Sequence, residues 1–331
     1  MSTVGCESDS VPLRCLLIVP MTFYSFHKTL ASGLEARGYD VEVINEEYPA
    51  NVLGKILARF SLPVLRITTM IGLKKRLKDC GKFDLMFVVK GRGLGPSALR
   101  YLRGLTTRIV GYNFDSFDFN PSPLDWHHLT DFYATFDIDD AQKNDLPLVH
   151  LFSAVQAPIE AVERNVDLSI LQRVHSDRLP YAVKLIDALP EGAKAKIFLF
   201  ESSKALFMMR FVRHPLLYFR LWRYISFTPL PYDEAMDILS SSRVTFDFGH
   251  PKQSGVTVRC FEAQSLGTSI ITNNKAAIES GLFSAEQITL LPLDATKEMI
   301  NQKLVLLFKK TPKPSTRSLE DFLDDLLKMP Q

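Results

Sequence analysis

Cysteine is scarce. Only Cys6, Cys15, Cys80 and Cys260 occur in 331 residues, with no Cys-x-x-Cys pair and no histidine at metal-ligand spacing. That argues against a disulfide or zinc framework and points to reduced thiols in a reducing compartment. No run of about 18 or more residues stays apolar and uncharged, so no membrane-spanning helix is expected. Met1–Pro12 is polar, carries Glu7 and Asp9, and lacks the basic and apolar stretches of a secretory signal. A cytoplasmic protein is the expectation. Net charge is nearly absent too, since 39 Lys+Arg offset 37 Asp+Glu to leave +2. That balance argues against a general nucleic-acid coat. With 46% hydrophobic and 23% charged residues, a disordered, collagen-like or fibrous chain is excluded. No short-period repeat or low-complexity tract interrupts the sequence.

What the sequence does contain is a rhythm of short apolar run, polar turn and helical period. Its length favours two domains, because one core seldom grows beyond ~250–300 residues. Strands are expected at Arg14–Pro20, Asp40–Ile44, Asp84–Lys90, Arg108–Asn113 and Phe132–Phe136, and helices at His27–Arg37 and Ser97–Arg103. An apolar and basic stretch, Val52–Lys78, is broken at Pro63. The rhythm pauses across Ser153–Asp167 and then resumes. Strands follow at Asp167–Leu171, Lys196–Phe200, Ile225–Thr228, Val244–Phe248 and Thr268–Thr272, with helices at Asp233–Leu239, Val256–Leu266 and Lys297–Phe308. Alternation of this kind implies βαβ units and doubly wound parallel sheets. The expected organisation is therefore 13–155, 165–310, and a linker with a last helix over 311–331. Two such α/β halves place the default active site in a cleft at the carboxyl ends of the strands.

The segment from Val244 to Asn274 concentrates the chemistry. A strand enters Gly249-His250-Pro251, then a small-residue loop Gln253-Ser254-Gly255, then a helix from about Val256. Free N–H groups and the positive dipole end beside Ser254 and Gly255 suit an anionic diphosphate. Arg259, in the first turn, is placed to add bidentate phosphate contacts. Glu262 follows three residues later on the same face, where a carboxylate suits the two hydroxyls of a ribose. Taken singly, Glu262 reads equally as a solvated charge and Gly255 as a turn.

The pattern Gly255…Glu262-Ala263…Gly267…Ile271 resembles the donor-site signature of GT-B glycosyltransferases. The stretch from His250 to Asn274 is more closely similar to the bacterial lipopolysaccharide and capsule biosynthesis group related to spore-maturation glycosyltransferases. Phe26-His27, Val89-Lys90-Gly91, Asn113–Phe117 and Leu168–Leu179 extend the likeness in the same order over most of the chain. The resemblance implies a GT-B fold of two Rossmann-like, doubly wound domains facing a cleft, with the donor on the second domain and the acceptor on the first. It implies Glu262 on the ribose, and Ser254 to Thr257 with Arg259 around the diphosphate of a nucleotide-sugar co-substrate. Many members carry a carboxylate that contacts the sugar eight residues before that glutamate. Ser254 stands there instead, leaving His250 or Gln253 to substitute.

His175-Ser176-Asp177-Arg178 opens a helix, so Ser176 or Asp177 is a natural N-cap. Arg178 and His175 are placed to neutralise the leaving diphosphate. On the acceptor side, His27 and Asp115 each follow a strand end. Either serves as the base if the reaction inverts, and neither is needed if it retains. Their structural alternatives are a helix start for His27 and an Asx turn for Asp115. Lys90 is expected to contact an acceptor anion or the donor phosphate. Asp137-Ile138-Asp139 contains the Asp-x-Asp of metal-dependent transferases, but following a strand it reads as a cap for the helix through Lys143. No catalytic metal is expected there or at His127-His128.

The near-neutral total conceals blocks. No acid falls between Glu47 and Asp79 or between Glu201 and Asp233, whereas Asp115 to Asp145 holds eight aspartates and one lysine. In the second basic block, Arg210, Arg213, Arg220 and Arg223 interleave with aromatic and aliphatic residues. An interfacial segment on an anionic membrane and a helical pair packed into the domain both fit. Nucleic acid is a third reading, without a recognition motif to support it. The favoured function is transfer of a sugar from a nucleotide-sugar to a cell-surface polysaccharide or lipid-linked glycan precursor. An epimerase or hydrolase of the same fold and a non-catalytic nucleotide-binding scaffold are the alternatives.

Overall fold

Runs of Leu, Ile, Val and Phe that stay apolar on both sides of the pleat form strands in a computed structural model. It describes residues 12–21, 26–49, 51, 54, 57, 61–155, 162–174 and 178–328. The N-terminal elements are β1 (Leu13–Val19), α1 (Phe26–Glu35), β2 (Tyr39–Asn45), α2 (Leu62–Leu77), β3 (Phe83–Val89), α3 (Pro96–Arg103), β4 (Thr106–Asn113) and β5 (Phe132–Thr135). They build a parallel sheet of order β2-β1-β3-β4-β5. Five consecutive buried residues in both β1 and β3 show that helices cover each face. Leu16, Ile18, Met86, Val88, Leu99 and Trp126 form the core. Pro63 lies in the first turn of α2, where its missing N–H is no loss, so the break in the basic stretch is a helix start.

After α4 (Ile138–Asn144), the C-terminal elements are β6 (Val166–Arg173), α5 (Arg178–Asp187), β7 (Ala195–Phe200), α6 (Lys204–Arg213), α7 (Pro215–Leu221) and β8 (Ile225–Ser226). Then come α8 (Tyr232–Ser240), β9 (Ser242–Asp247), α9 (Val258–Ser265), β10 (Ser269–Thr272), α10 (Lys275–Glu279), β11 (Ile288–Leu290), α11 (Lys297–Leu307) and α12 (Leu319–Leu327). Their parallel sheet runs β11-β10-β9-β6-β7-β8. Relative to its own first strand this is the order 3-2-1-4-5-6 of dinucleotide-binding folds, whereas the first sheet has the flavodoxin-like order 2-1-3-4-5. Each sheet thus has a switch point, β1/β3 in the first and β6/β9 in the second. Ligands of such sheets sit at the carboxyl ends of those strands.

Two compact units result. The first comprises residues 1–136, 140–149 and 323–331, and the second 137–139 and 150–322. The end of α12 belongs with the first unit, where Asp324 pairs with Arg37 at 2.7 Å and the carbonyl of Leu327 accepts from Arg108 at 3.0 Å. Among the described residues, no helix is long and apolar enough to cross a membrane.

Several boundaries moved for local reasons. The helix expected from Val256 begins at Val258, because Thr257 is extended (φ −72°, ψ 156°) and takes the N-cap position, its hydroxyl turned to Asp247. The strand expected over Ile225–Thr228 stops at Ser226, whose hydroxyl closes a turn onto Thr228. The short elements α10 and β11 went unread, since five and three residues carry too little periodicity.

Candidate functional site

In the second unit, β9 ends at Asp247 beside the switch point, and the chain crosses Gly249–Gly255 to reach α9. Two asparagines after β10 stitch this loop. Asn273 accepts from the Gly249 amide (2.8 Å) and donates to its carbonyl (2.9 Å), and the Asn274 amide donates to the carbonyl of Gly255 (3.0 Å). Only glycine fits at 249, since a Cβ there would lie 2.6 Å from that of Asn274. Below the loop, buried Asp247 accepts from the hydroxyls of Thr257 (2.6 Å) and Thr272 (3.1 Å). Thr257 is thus fixed as the cap residue of α9. His250 turns back on itself, its carbonyl accepting from Gln253 N and its Nδ1 from Lys252 N. The Gln253 side chain lies half-buried in the same turn.

The amides of Ser254 and Gly255 already hold an anion. Asp137 is buried, and its Oδ2 accepts from Ser254 N (2.7 Å) and Gly255 N (3.2 Å) while its Oδ1 accepts from the Ser254 hydroxyl (2.7 Å). The Ser254 hydroxyl in turn accepts from Asp139 N at 2.8 Å. Asp137 thus ties its carboxylate to the loop across the start of α4. The two amides expected to meet a diphosphate are engaged by the protein itself, as a buried carboxylate requires. Replacing Asp137 by alanine removes three charge-assisted bonds and leaves two amides unpaired. We expect a loss on the order of 2–4 kcal/mol in urea-induced unfolding, with asparagine recovering part of it.

On α9, Arg259 and Glu262 share one face, as their spacing requires, with Nη1 and Oε2 3.2 Å apart. Glu262 is buried. Burial pushes its carboxyl pKa up, opposed by the Arg259 charge and by a hydrogen bond from the Tyr232 hydroxyl at the start of α8. Arg178, the first residue of α5, lies over the Phe248 ring at 5.5 Å, so the start of α5 meets the residue that follows β9. His175, Ser176 and Asp177 lie outside the described residues. Within the second unit, then, Arg178 lies over Phe248 at the entry to the loop, and the Arg259–Glu262 pair lies on the helix that leaves it.

The first unit gathers its own polar cluster at its switch point. Lys90, directly after β3, is left-handed (φ 67°), and Gly91 follows with φ 60°. A lysine in that conformation is strained and is held by its surroundings. Its amide donates to Tyr112 O (2.7 Å) and its carbonyl accepts from the side chain of buried Asn120 (2.9 Å). Gly91 is obligatory on a second count, because a Cβ would meet the Trp126 ring at 2.5 Å. Lys90 Nζ reaches Asp115 Oδ2 at 2.8 Å and lies 5.6 Å from the Phe114 ring, which packs edge-on against Phe26. Loops after β3 and β4 and the start of α1 are thereby brought together, with His27 next to Phe26. His27 Nδ1 is buried without a hydrogen-bond partner among the described residues. The Asx turn weighed for Asp115 belongs to Asn113, whose side chain brackets the Asp115 backbone.

One member of this cluster escaped the sequence reading. Glu46 follows β2, is buried, and accepts from Arg92 N at 2.8 Å. Burial pushes its pKa to about 8, against the pull of Lys90 and of that amide. Burial lowers Lys90, but Asp115 and Glu46 outweigh it and hold the ammonium above its ordinary value. A carboxylate just past a strand's carboxyl end was the available signal.

No protein-family model matches the chain, and no curated protein matches it. Solved structures share its fold. Sucrose-phosphate synthase from Thermosynechococcus elongatus superposes with a TM-score of 0.59 at 11% identity, over 90% of this chain and 92% of that one. The lipopolysaccharide outer core galactosyltransferase WaaB gives 0.55 at 9%, over 95% and 98%. UDP-GlcNAc 2-epimerase from Methanocaldococcus jannaschii, in complex with UDP-GlcNAc and UDP, gives 0.53 at 13%, over 92% and 95%. At these identities the likeness shows the fold, two Rossmann-like domains of the GT-B type.

Proposed function

We propose that the protein is a glycosyltransferase that takes a sugar from a nucleotide-sugar bound on the second unit. The observation that carries this reading is the Arg259–Glu262 pair on the helix that follows the β9 loop, with Arg178 over Phe248 at the entry to that loop. The phosphates of a nucleoside diphosphate would draw Arg259, Arg178 and the amino end of α9, and its ribose would exchange hydroxyls for the Tyr232 and Arg259 contacts of Glu262. Fixed donors that stabilise the departing diphosphate commonly contribute most of the rate enhancement in such a transfer. Ser254 and Gly255 support the site through Asp137, and Thr257 through Asp247. His250 and Gln253, on the outer turn of the loop, are left to read the sugar.

The acceptor belongs at the first unit's cluster. Asp115 is committed to Lys90, so His27 is the better proton acceptor for an inverting transfer. Lys90 with its counter-ion suits an acceptor that carries an anionic group, and a surface polysaccharide or lipid-linked glycan precursor is the class we assign. Charge neutralisation by arginine and amide groups leaves no task for a metal ion.

A thermal-shift panel of UDP-, GDP-, ADP-, TDP- and CMP-sugars, with EDTA present, tests the reading. One donor should raise the melting temperature by several degrees at concentrations far above its dissociation constant. No shift with any of them would overturn it. The epimerase fold neighbour makes an isomerase the second reading, and it predicts conversion of the donor with no acceptor added.

A further inference from the structure

The helical pair α6–α7 is anchored from one side only. Phe207 is buried and stands among the rings of Phe211, Tyr218, Trp222 and Phe227 at 5.2–5.9 Å. Tyr218 and Leu221 complete the inward face and join the second unit's core. The fold needs no more than this from the pair. Yet the outward face repeats the apolar spacing, with Met208, Met209 and Val212 on α6 and Leu216 and Phe219 on α7, and Trp222 at its edge, packed on Phe207 by one side and open on the other. Val212 is 76% exposed, Leu216 82%, Phe219 77% and Trp222 58%. Single exposed apolar residues are ordinary, but a contiguous outward stripe on helices already packed by their other face is not.

Charge within this segment has one sign. No Asp or Glu occurs between Glu201 and Asp233. Arg210 and Arg220 are engaged by Glu201 and Asp187. Lys204 and Arg213 are exposed and have no carboxylate partner among the described residues, and Arg223 lies over the Tyr224 ring. We propose that the outward face of α6 and α7 docks on an anionic lipid surface. Its apolar side chains enter the boundary between headgroups and acyl chains, and Lys204, Arg213 and Arg223 meet the lipid phosphates. A bilayer supplies both requirements at once, a negative layer over an apolar one. A second copy of the chain does not, because a two-fold contact through this face would set its cations against one another. The docking surface is independent of the donor site.

Trp222 reports the event directly. The chain has two tryptophans, and the other, Trp126, is fully buried in the first unit. With vesicles of phosphatidylcholine and phosphatidylglycerol, the protein should float with the lipid and its exposed-tryptophan emission should shift to the blue. Both effects should weaken as salt is raised and be absent with phosphatidylcholine alone. A Leu216→Asp/Phe219→Asp variant should partition at least about tenfold more weakly. These side chains are exposed, so an unchanged melting temperature shows that the fold is kept. Absence of flotation, flotation unaffected by the double substitution, or a dimer in sedimentation that this variant dissociates would each overturn the proposal.

Discussion

Glu262→Gln should bind its nucleotide-sugar roughly ten- to a hundredfold more weakly than the native chain. Losing charge-assisted bonds to two ribose hydroxyls corresponds to about 1.5–3 kcal/mol. Glutamine keeps the shape of a side chain that is buried between Arg259 and Tyr232, so the fold is disturbed little. Arg259→Ala should be the more severe change, for two reasons. It removes a diphosphate contact, and it strips the buried Glu262 carboxylate of its neighbouring charge, raising that pKa further. Calorimetric titration of both variants, with the donor found by thermal shift, separates these effects. Unchanged affinity in both, with native-like melting, would sink the donor assignment while leaving the fold intact.

The second large effect is on stability as pH changes. The native state keeps the Glu46 proton up to about pH 8, whereas an unfolded chain releases it near 4.5. Between those values the native state binds more protons, so this group's contribution is full below about 4.5 and declines as pH rises to about 8. The whole difference is on the order of 5 kcal/mol at most, from about 1.36 kcal/mol per unit. Lys90, Asp115, Glu47 and the Arg92 amide all act on this carboxylate. Glu46→Gln cannot ionise and still accepts from Arg92 N. It should match the native melting temperature near pH 4.5 and exceed it by several degrees near pH 8.5. Parallel melting curves across that range would show that the carboxylate titrates normally.

Sequence patterning revealed most of the scaffold, because parallel strands covered on both faces must be apolar throughout. Runs such as Leu13–Val19 and Phe83–Val89 stand out for that reason. The donor loop was equally visible, since a strand end, small residues and a helix start lie within one short segment. What stayed hidden depends on partners remote in sequence. Nothing near Asp137 announces that it will bind the amides of Ser254 and Gly255, 117 and 118 positions away. Nothing around Lys90 signals a left-handed backbone, which Asn120 and Tyr112 impose from β4 and the loop beyond it. The basic aromatic segment was recognisable as unusual. Its two faces became distinguishable only once Phe207 was seen to gather the inward one.

The placing of residues 323–328 bears on how the chain acquires its structure during synthesis. The first unit includes Asp324, which pairs with Arg37 across 287 positions, and the Leu327 carbonyl, which binds Arg108 across 219. A ribosome delivers β1 to β5 long before it delivers α12. The early unit must therefore wait without these two contacts until the second unit has been made. Contacts of such length delay completion and prolong the exposure of partly formed surfaces. A nascent chain halted before α12 is where a chaperone would be needed most.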